Sequence, residues 1–147
     1  MSPRPVHLAI LHKRYLDAII DGVKTVEARI SKVRCAPFGR VQRGDVIYLK
    51  QTGGAVRARA IATRVRTYEE LTRDGMRQLR RDWNDRICGS SEFWGGRRGC
   101  RYATLIELDQ ISAGIPAATQ RELLCQIPRG SRSGWHVVER NAVRRAA

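Results

Sequence analysis

The stretch that decides the predicted fold is Gly22-Val23-Lys24-Thr25-Val26-Glu27-Ala28-Arg29, because a helix ends and a strand begins within it. Apolar side chains recur at helical spacing just before it, which predicts a short helix over residues 13–21. Gly22 then stands where a left-handed helix cap costs little for a residue without Cβ. From Lys24 onward the side chains alternate with a period of two, which predicts a strand with Glu27 and Arg29 on its polar face.

The rest of the chain predicts about six strands with two or three helices between them. The strands are expected over residues 6–11, 24–30, 46–52, 55–67, 102–108 and 135–138, with a bulge near Ala60-Ile61. One further helix is expected from the capping box Thr67-Tyr68-Glu69-Glu70 to about Trp83, and another after Thr119-Gln120-Arg121-Glu122. Short hairpins favour antiparallel pairing, so the predicted fold is α+β: a small, curved, mostly antiparallel β-barrel.

The charge of the chain is strongly positive and unevenly distributed. The sequence has 28 Lys and Arg against 14 Asp and Glu, a net charge of +14. Residues 1–66 hold 14 basic and 4 acidic residues, whereas residues 67–109 hold 8 of each. Such a concentration attracts polyanions, which favours RNA or DNA as the partner. A genome-wide preference for arginine is the alternative explanation.

Several classes of protein are excluded by what the sequence lacks. Its four cysteines form no C-x-x-C pair and lie at no ligand spacing from the histidines, so neither a metal site nor a disulfide framework is expected. There is no signal-peptide pattern and no apolar run long enough for a membrane span, which predicts a cytoplasmic protein that does not contact a membrane. No phosphate-binding glycine loop is present, so no nucleotide cofactor is expected.

The strand after Gly22 carries the residues with the clearest chemistry. Lys24, Glu27 and Arg29 place two cations and one carboxylate within a short length of extended chain. Lys24 or Arg29 could hold a phosphate while Glu27 accepts a hydrogen bond from a base amine. The alternative is an exposed strand face whose Glu/Arg pair contributes little to stability.

The pattern G-x-K-x-x-E-x-R, formed here by Gly22, Lys24, Glu27 and Arg29, resembles the signature of ASCH domains, and Gly44-Asp45 is similar to a G-D step common in them. The resemblance covers about residues 5–110. It implies a PUA-like β-barrel that binds RNA, with Lys24, Glu27 and Arg29 in its cleft. We therefore expect an ASCH/PUA-like domain over residues 1–110. Residues 111–147 are expected to be an extension, a short helix and a closing strand, packed on the same domain.

Further candidate binding residues lie in the basic loop after the second strand and on the next two strands. Tyr48 shares a strand face with Lys50, so the ring could stack on a base while the lysine meets its phosphate; the alternative is a tyrosine on the barrel surface. His12, at the start of the first helix, is a further cleft candidate. The other members of this set are Lys32, Arg34, Arg57 and Arg59.

Two kinds of function remain open on this basis. The favoured hypothesis is a nucleic-acid-binding module that prefers RNA to DNA and single-stranded or looped substrates to duplexes. The alternative is an enzyme: some small ASCH-like proteins are acetylcytidine amidohydrolases, and a ribonuclease is also conceivable. Those amidohydrolases have a threonine where this sequence has Glu27, so Lys24 and Glu27 would then be the catalytic pair. A protein module that binds an acidic partner is a third possibility, and the oligomeric state is not predicted.

Overall fold

The computed structural model describes residues 4–139, and these residues contain six strands and four helices. The strands are β1 (Val6–Leu11), β2 (Val26–Ser31), β3 (Val46–Gln51), β4 (Val56–Tyr68), β5 (Tyr102–Ala113) and β6 (Trp135–Val138). The helices are α1 (Lys13–Ile20), α2 (Arg73–Ile87), α3 (Ser91–Gly95) and α4 (Ala117–Cys125). None of these helices is long and apolar enough to cross a membrane.

The strands form one curled sheet in the order β2-β5-β4-β3-β1-β6. Every neighbouring pair is antiparallel except β1 and β3, which run parallel with His7 opposite Ile47. The prediction of an α+β fold with a curved, mostly antiparallel sheet is therefore confirmed. The sheet curls as a half-barrel, and four helices are present where two or three were expected.

The turn from α1 into β2 forms as the sequence predicts. Gly22 has φ of +80°, the left-handed conformation that a residue without Cβ adopts at little cost. The backbone N–H groups of Val23 and Lys24 both donate to the carbonyl of Ala18, so this cap binds the chain back onto the helix. The strand then begins two residues after Lys24, with Val26 and Ala28 buried against α2 and α3.

Apolar side chains cover both faces of the sheet, so most strands are buried on two sides. One cluster includes Leu16 and Ile19 of α1 with Ile47 and Leu49 of β3. The cluster on the other face of β3 contains Tyr48 together with Leu123 of α4. The predicted bulge is confirmed as register shifts of β4 against β5 between residues 59 and 64.

The predicted start of the second helix is wrong. Thr67 and Tyr68 remain in β4, where they pair with Thr104 and Ala103 of β5. The helix begins after Thr72, whose side chain accepts a hydrogen bond from the Gly75 N–H. The long strand pairing outweighs a local capping pattern, because each further residue adds ladder hydrogen bonds and side-chain contacts.

The C-terminal part of the described chain continues the sheet. Helix α4 begins after Pro116, three residues before the predicted capping box, and β6 pairs antiparallel with β1. Strand β5 extends to Ala113 and therefore crosses residue 110. The division into a domain over residues 1–110 and an extension over residues 111–147 stays a prediction.

Candidate functional site

A cavity of about 580 Å³ opens between α1, β2 and the segment around α3. Its volume is within the range of small-ligand sites, roughly 300–1,000 Å³. We call it the basic cavity, because four of its lining side chains are lysine or arginine and one buried carboxylate lies among them. The lining residues that matter for the argument are Tyr15, Lys24, Glu27, Arg29, Phe93 and Arg97.

Lys24 is almost fully buried at the inner end of the basic cavity, with 3% of its surface exposed. Its ammonium group donates to the carbonyls of Val26 at 2.7 Å and Ile87 at 2.6 Å, and it lies 3.3 Å from Oε1 of Glu27. An ammonium group has three protons, so all of them have acceptors. These contacts favour a structural role for Lys24, and its role as a phosphate contact stays a prediction.

Glu27 is buried between the two cations of its own strand segment. Oε1 accepts from the Ala28 N–H at 3.1 Å, and Oε2 accepts from Nη2 of Arg29 at 3.1 Å. Burial raises the pKa of Glu27, but the charges of Lys24 and Arg29 outweigh that effect and hold the pKa below its ordinary value. A carboxylate offers about four acceptor positions, and three donors occupy Glu27, so about one position remains for a ligand.

Arg29 joins the two ends of the curled sheet. From β2 at one edge, its Nη1 donates to the carbonyl of Gly134 at 3.0 Å, just before β6 at the other edge. Nη2 also donates to the carbonyl of Ile10 at 2.9 Å, and the guanidinium lies 5.3 Å from the ring centre of Trp135. These contacts fix Arg29 and, through it, the orientation of Glu27.

A buried polar network holds Trp135 in place behind Arg29. The indole N–H of Trp135 donates to Nδ1 of His7 at 3.0 Å, so Nε2 of His7 carries the proton and donates to Asp45 at 2.9 Å. Asp45 also accepts from Arg4 and from a backbone N–H. Burial raises the pKa of Asp45, but the hydrogen bonds from Arg4 and His7 outweigh it and lower the pKa. Burial also lowers the pKa of His7, which keeps the ring neutral.

The wall of the basic cavity opposite β2 was not predicted from the sequence. Phe93 and Arg97 come from α3 and the turn after it, and Tyr15 comes from α1. Arg97 stacks on Phe93 with 3.8 Å from its guanidinium carbon to the ring centre. Only the glycine-rich, arginine-containing composition of residues 95–101 hinted at a ligand-binding turn, and α3 itself was not predicted. His12, the residue before α1, does line the cavity.

Tyr48 does not lie at the cavity, contrary to the prediction that it stands near Glu27. Its side chain is 8% exposed and packs with Leu8, Val56 and Leu123 under α4. A helix covers this face of β3, which a two-residue alternation cannot reveal. Tyr48 therefore has no open face on which a base could stack.

The other predicted binding residues lie outside the lining of the basic cavity. Arg34 is exposed, paired with Glu69 at 3.1 Å, and Lys32 is exposed on the same loop. Arg57 pairs with Asp17 of α1, so its charge is partly neutralised. Lys50 and Arg59 are half-buried on β3 and β4. The structure thus brings together Lys24, Glu27 and Arg29, but none of these other side chains with them.

The described residues contain no cluster of potential metal ligands, and all four cysteines are free. The catalytic assignment of Lys24 and Glu27 stays a prediction; two carbonyls and the Glu27 carboxylate surround the side-chain nitrogen of Lys24. Its geometry fits a positioning residue that holds Glu27. The arrangement can accept one donor at Glu27 and bind negative charge at its arginines.

The curled sheet and its helices match the fold of solved ASCH protein structures. One matching crystal structure is that of the ASCH protein from Zymomonas mobilis. It has a TM-score of 0.70 at 18% identity, and the match covers 97% of this chain and 93% of that chain. One mutant form of that protein matches with a TM-score of 0.73 at 15% identity and covers 99% of this chain and 96% of its own. A second mutant form matches with a TM-score of 0.68 at 17% identity and covers 95% of this chain and 94% of its own.

No family model and no curated protein matches the sequence. The likeness at this identity establishes the fold, and the prediction of an ASCH-type fold is confirmed.

Proposed function

We propose that this protein binds single-stranded or looped nucleic acid, RNA in preference to DNA, by taking one unstacked nucleotide into the basic cavity. The observation that carries the proposal is Glu27. It is a buried, ionised carboxylate with about one free acceptor position, and it lines a cavity of nucleotide size. Such a group selects a ligand that offers an N–H donor, as the exocyclic amines of cytosine and adenine do.

The charge of the chain supports this proposal. The positive potential of a protein with net charge +14 accelerates the encounter with a polyanion. Inside the cavity, Arg97 and Arg29 have guanidinium N–H groups left for phosphate oxygens, whereas two carbonyls and Glu27 surround the ammonium group of Lys24. Arg14, also a lining residue, is exposed, and the exposed Lys32 and Arg34 lie on the loop after β2, outside the cavity lining. These side chains suit a strand that runs over the surface with one nucleotide turned inward.

The shape of the site favours unstacked nucleotides over duplexes. The cavity is walled by apolar and aromatic side chains such as Ile10, Leu11 and Phe93, which suit the apolar faces of a base. A base can reach such a wall only after it has left its stack, and this step costs least in single strands and loops. The preference for RNA is based on the ASCH resemblance.

A comparison of homopolymers tests the role of Glu27. Fluorescence anisotropy with labelled oligo(C) and oligo(U) of RNA, and with matched DNA and duplex DNA, is measured in 0.1 M salt. We expect oligo(C) to bind about tenfold or more tightly than oligo(U), because a hydrogen bond to a charged group contributes about 1.5–3 kcal/mol. Glu27→Gln should reduce this difference and leave the binding of oligo(U) nearly unchanged, because a neutral amide oxygen accepts a weaker hydrogen bond than a carboxylate.

The control for this experiment is Glu122→Gln, which changes a carboxylate on α4 outside the cavity lining. It should retain the preference for oligo(C). Equal affinities for oligo(C) and oligo(U) in the unmodified protein would contradict the proposal. An undiminished preference for oligo(C) over oligo(U) in Glu27→Gln would also contradict the proposal.

The dependence on salt tests the phosphate contacts. If about four phosphates are neutralised, the logarithm of the association constant should fall with the logarithm of the salt concentration with a slope of roughly −3 on single strands. A titration from 0.05 to 0.3 M salt measures this slope. A flat dependence would show that the excess charge does not bind the backbone.

A further inference from the structure

One arginine of the basic cavity has hydrogen-bonding groups that no residue among 4–139 uses. Arg97 donates from Nη1 to the carbonyl of Phe93 at 3.0 Å, but Nε is buried without a partner and Nη2 has none in the described chain. Nε–H and Nη2–H point in parallel from one edge of a guanidinium, the edge that binds a phosphate or carboxylate with two hydrogen bonds. A buried donor without an acceptor costs free energy, which a ligand oxygen at this edge would recover.

The charges around the cavity are also unbalanced. Four cations, Arg14, Lys24, Arg29 and Arg97, line the cavity together with two carboxylates, the buried Glu27 and the exposed Glu92. Both Lys24 and Arg29 are within 3.3 Å of Glu27, whereas Arg97 makes no ion pair in the described chain. The net excess is two positive charges. A phosphate monoester carries about −1.5 to −2 at pH 7 and matches this excess, whereas an internal phosphodiester carries only one negative charge.

Arg97 is fixed before any ligand binds. Its guanidinium stacks on Phe93 at 3.8 Å, and the hydrogen bond to the Phe93 carbonyl sets its rotation. Phe93 itself is held by the N-terminal turn of α3, where Ser90 accepts from its backbone N–H. A side chain that is already ordered loses little entropy on binding. This arrangement favours a built anion site over a mobile surface arginine.

We propose that Arg97 forms a phosphate-monoester subsite, so that the basic cavity takes a single nucleotide whose base meets Glu27 and whose terminal phosphate meets the Nε/Nη2 edge. This inference rests on the proposed function and narrows it to ligands with a terminal phosphate. Two sources carry this chemistry: a free nucleoside monophosphate and the phosphorylated end of a strand.

Isothermal titration calorimetry at pH 7.5 tests the subsite with cytidine, 5′-CMP and 3′-CMP. We expect the better of the two nucleotides to bind about 100-fold or more tightly than cytidine, the order expected for two charge-assisted hydrogen bonds. Arg97→Gln should remove this advantage and leave the affinity for cytidine unchanged. The matched control is Arg98→Gln, its exposed neighbour, which should keep the advantage.

Further measurements separate the two sources of phosphate and the two proposals. Short oligo(C) RNA with and without a terminal phosphate is compared with CMP. Tighter binding of the phosphorylated strand than of CMP indicates that the subsite binds a strand end. Tighter binding of CMP indicates that it binds a free nucleotide. If oligo(C) binds with the expected preference but CMP has no advantage over cytidine, the subsite is refuted and the proposed function stands. If CMP binds through Arg97 but no oligonucleotide binds, the subsite stands and the proposed function is refuted.

A second variant covers the case in which Arg97→Gln does not fold. Arg97→Lys keeps the positive charge but lacks the parallel Nε–H and Nη2–H groups. It should therefore retain only a small part of the advantage of CMP over cytidine. Full retention in Arg97→Lys would overturn the bidentate geometry.

Discussion

Replacement of Lys24 by methionine is expected to destabilise the protein strongly. The substitution keeps most of the aliphatic side chain but removes the ammonium group, which is bonded to the carbonyls of Val26 and Ile87 and paired with Glu27. Removing one partner of a buried ion pair costs about 3–5 kcal/mol, because the other charge stays buried. Two carbonyls also lose a hydrogen bond, and Arg29 alone then neutralises Glu27. We expect a loss of at least about 3 kcal/mol in the free energy of unfolding.

Urea denaturation followed by circular dichroism measures this free energy by linear extrapolation. Lys32→Met is the matched control, because Lys32 is exposed on the loop after β2; a surface substitution of this kind changes stability by about 0.5 kcal/mol or less. In the double variant with Glu27→Gln, the loss should be smaller than the sum of the single losses by about 1–2 kcal/mol.

Two results would refute this reasoning. A loss below about 1 kcal/mol in Lys24→Met would mean that the buried ammonium group is not bonded as described. Additive losses in the double variant would mean that Lys24 and Glu27 do not interact. Either result would also remove the basis for treating Lys24 as the residue that positions Glu27.

Three more predictions concern the surroundings of the cavity. Tyr48→Phe should change the dissociation constant for oligo(C) less than twofold by fluorescence anisotropy, because Tyr48 is buried under α4. In Gly134→Ala the new Cβ would lie 2.8 Å from Nη1 of Arg29 and displace it, so the affinity for oligo(C) should fall severalfold, and the urea midpoint should fall as well because Arg29 pairs with the buried Glu27. The folded pKa of His7 is lowered by burial, so the urea midpoint should begin to fall below about pH 6.5, where the unfolded histidine takes up a proton. The folded pKa values of Glu27 and Asp45 are also lowered, so the midpoint should fall further below about pH 4, where the unfolded carboxylates bind protons, and this second decline should be less steep in Asp45→Asn.

The elements that the sequence predicted well are those that local chemistry determines. Helix α1 and its end at Gly22 follow from apolar spacing and from one glycine with a positive φ. The polar face of β2 also follows from alternation alone, so Glu27 and Arg29 were identified together. These features depend on neighbours within about ten residues, which a single sequence displays directly.

The features that the sequence could not predict depend on partners distant in the chain. The helix expected at Thr67 was replaced by strand because β5 lies alongside it. The contacts of Lys24 could not be predicted because one of its acceptors, the carbonyl of Ile87, is 63 residues away at the end of α2. Tyr48 looked available because the helix that covers it, α4, begins 69 residues later. Arg97 was missed for the same reason: the cavity it lines is completed by residues of α1 and β2.

The contact between Arg29 and the Gly134 carbonyl joins positions 105 residues apart and has a consequence for how the protein is made. Until β6 has been synthesised, Arg29 lacks this acceptor and Trp135 is absent from beside its guanidinium. A nascent or truncated chain that stops before residue 134 could form most of the sheet, yet its carboxylate would lack a correctly held neighbour. The proposed ligand pocket is thus completed only once β6 pairs with β1.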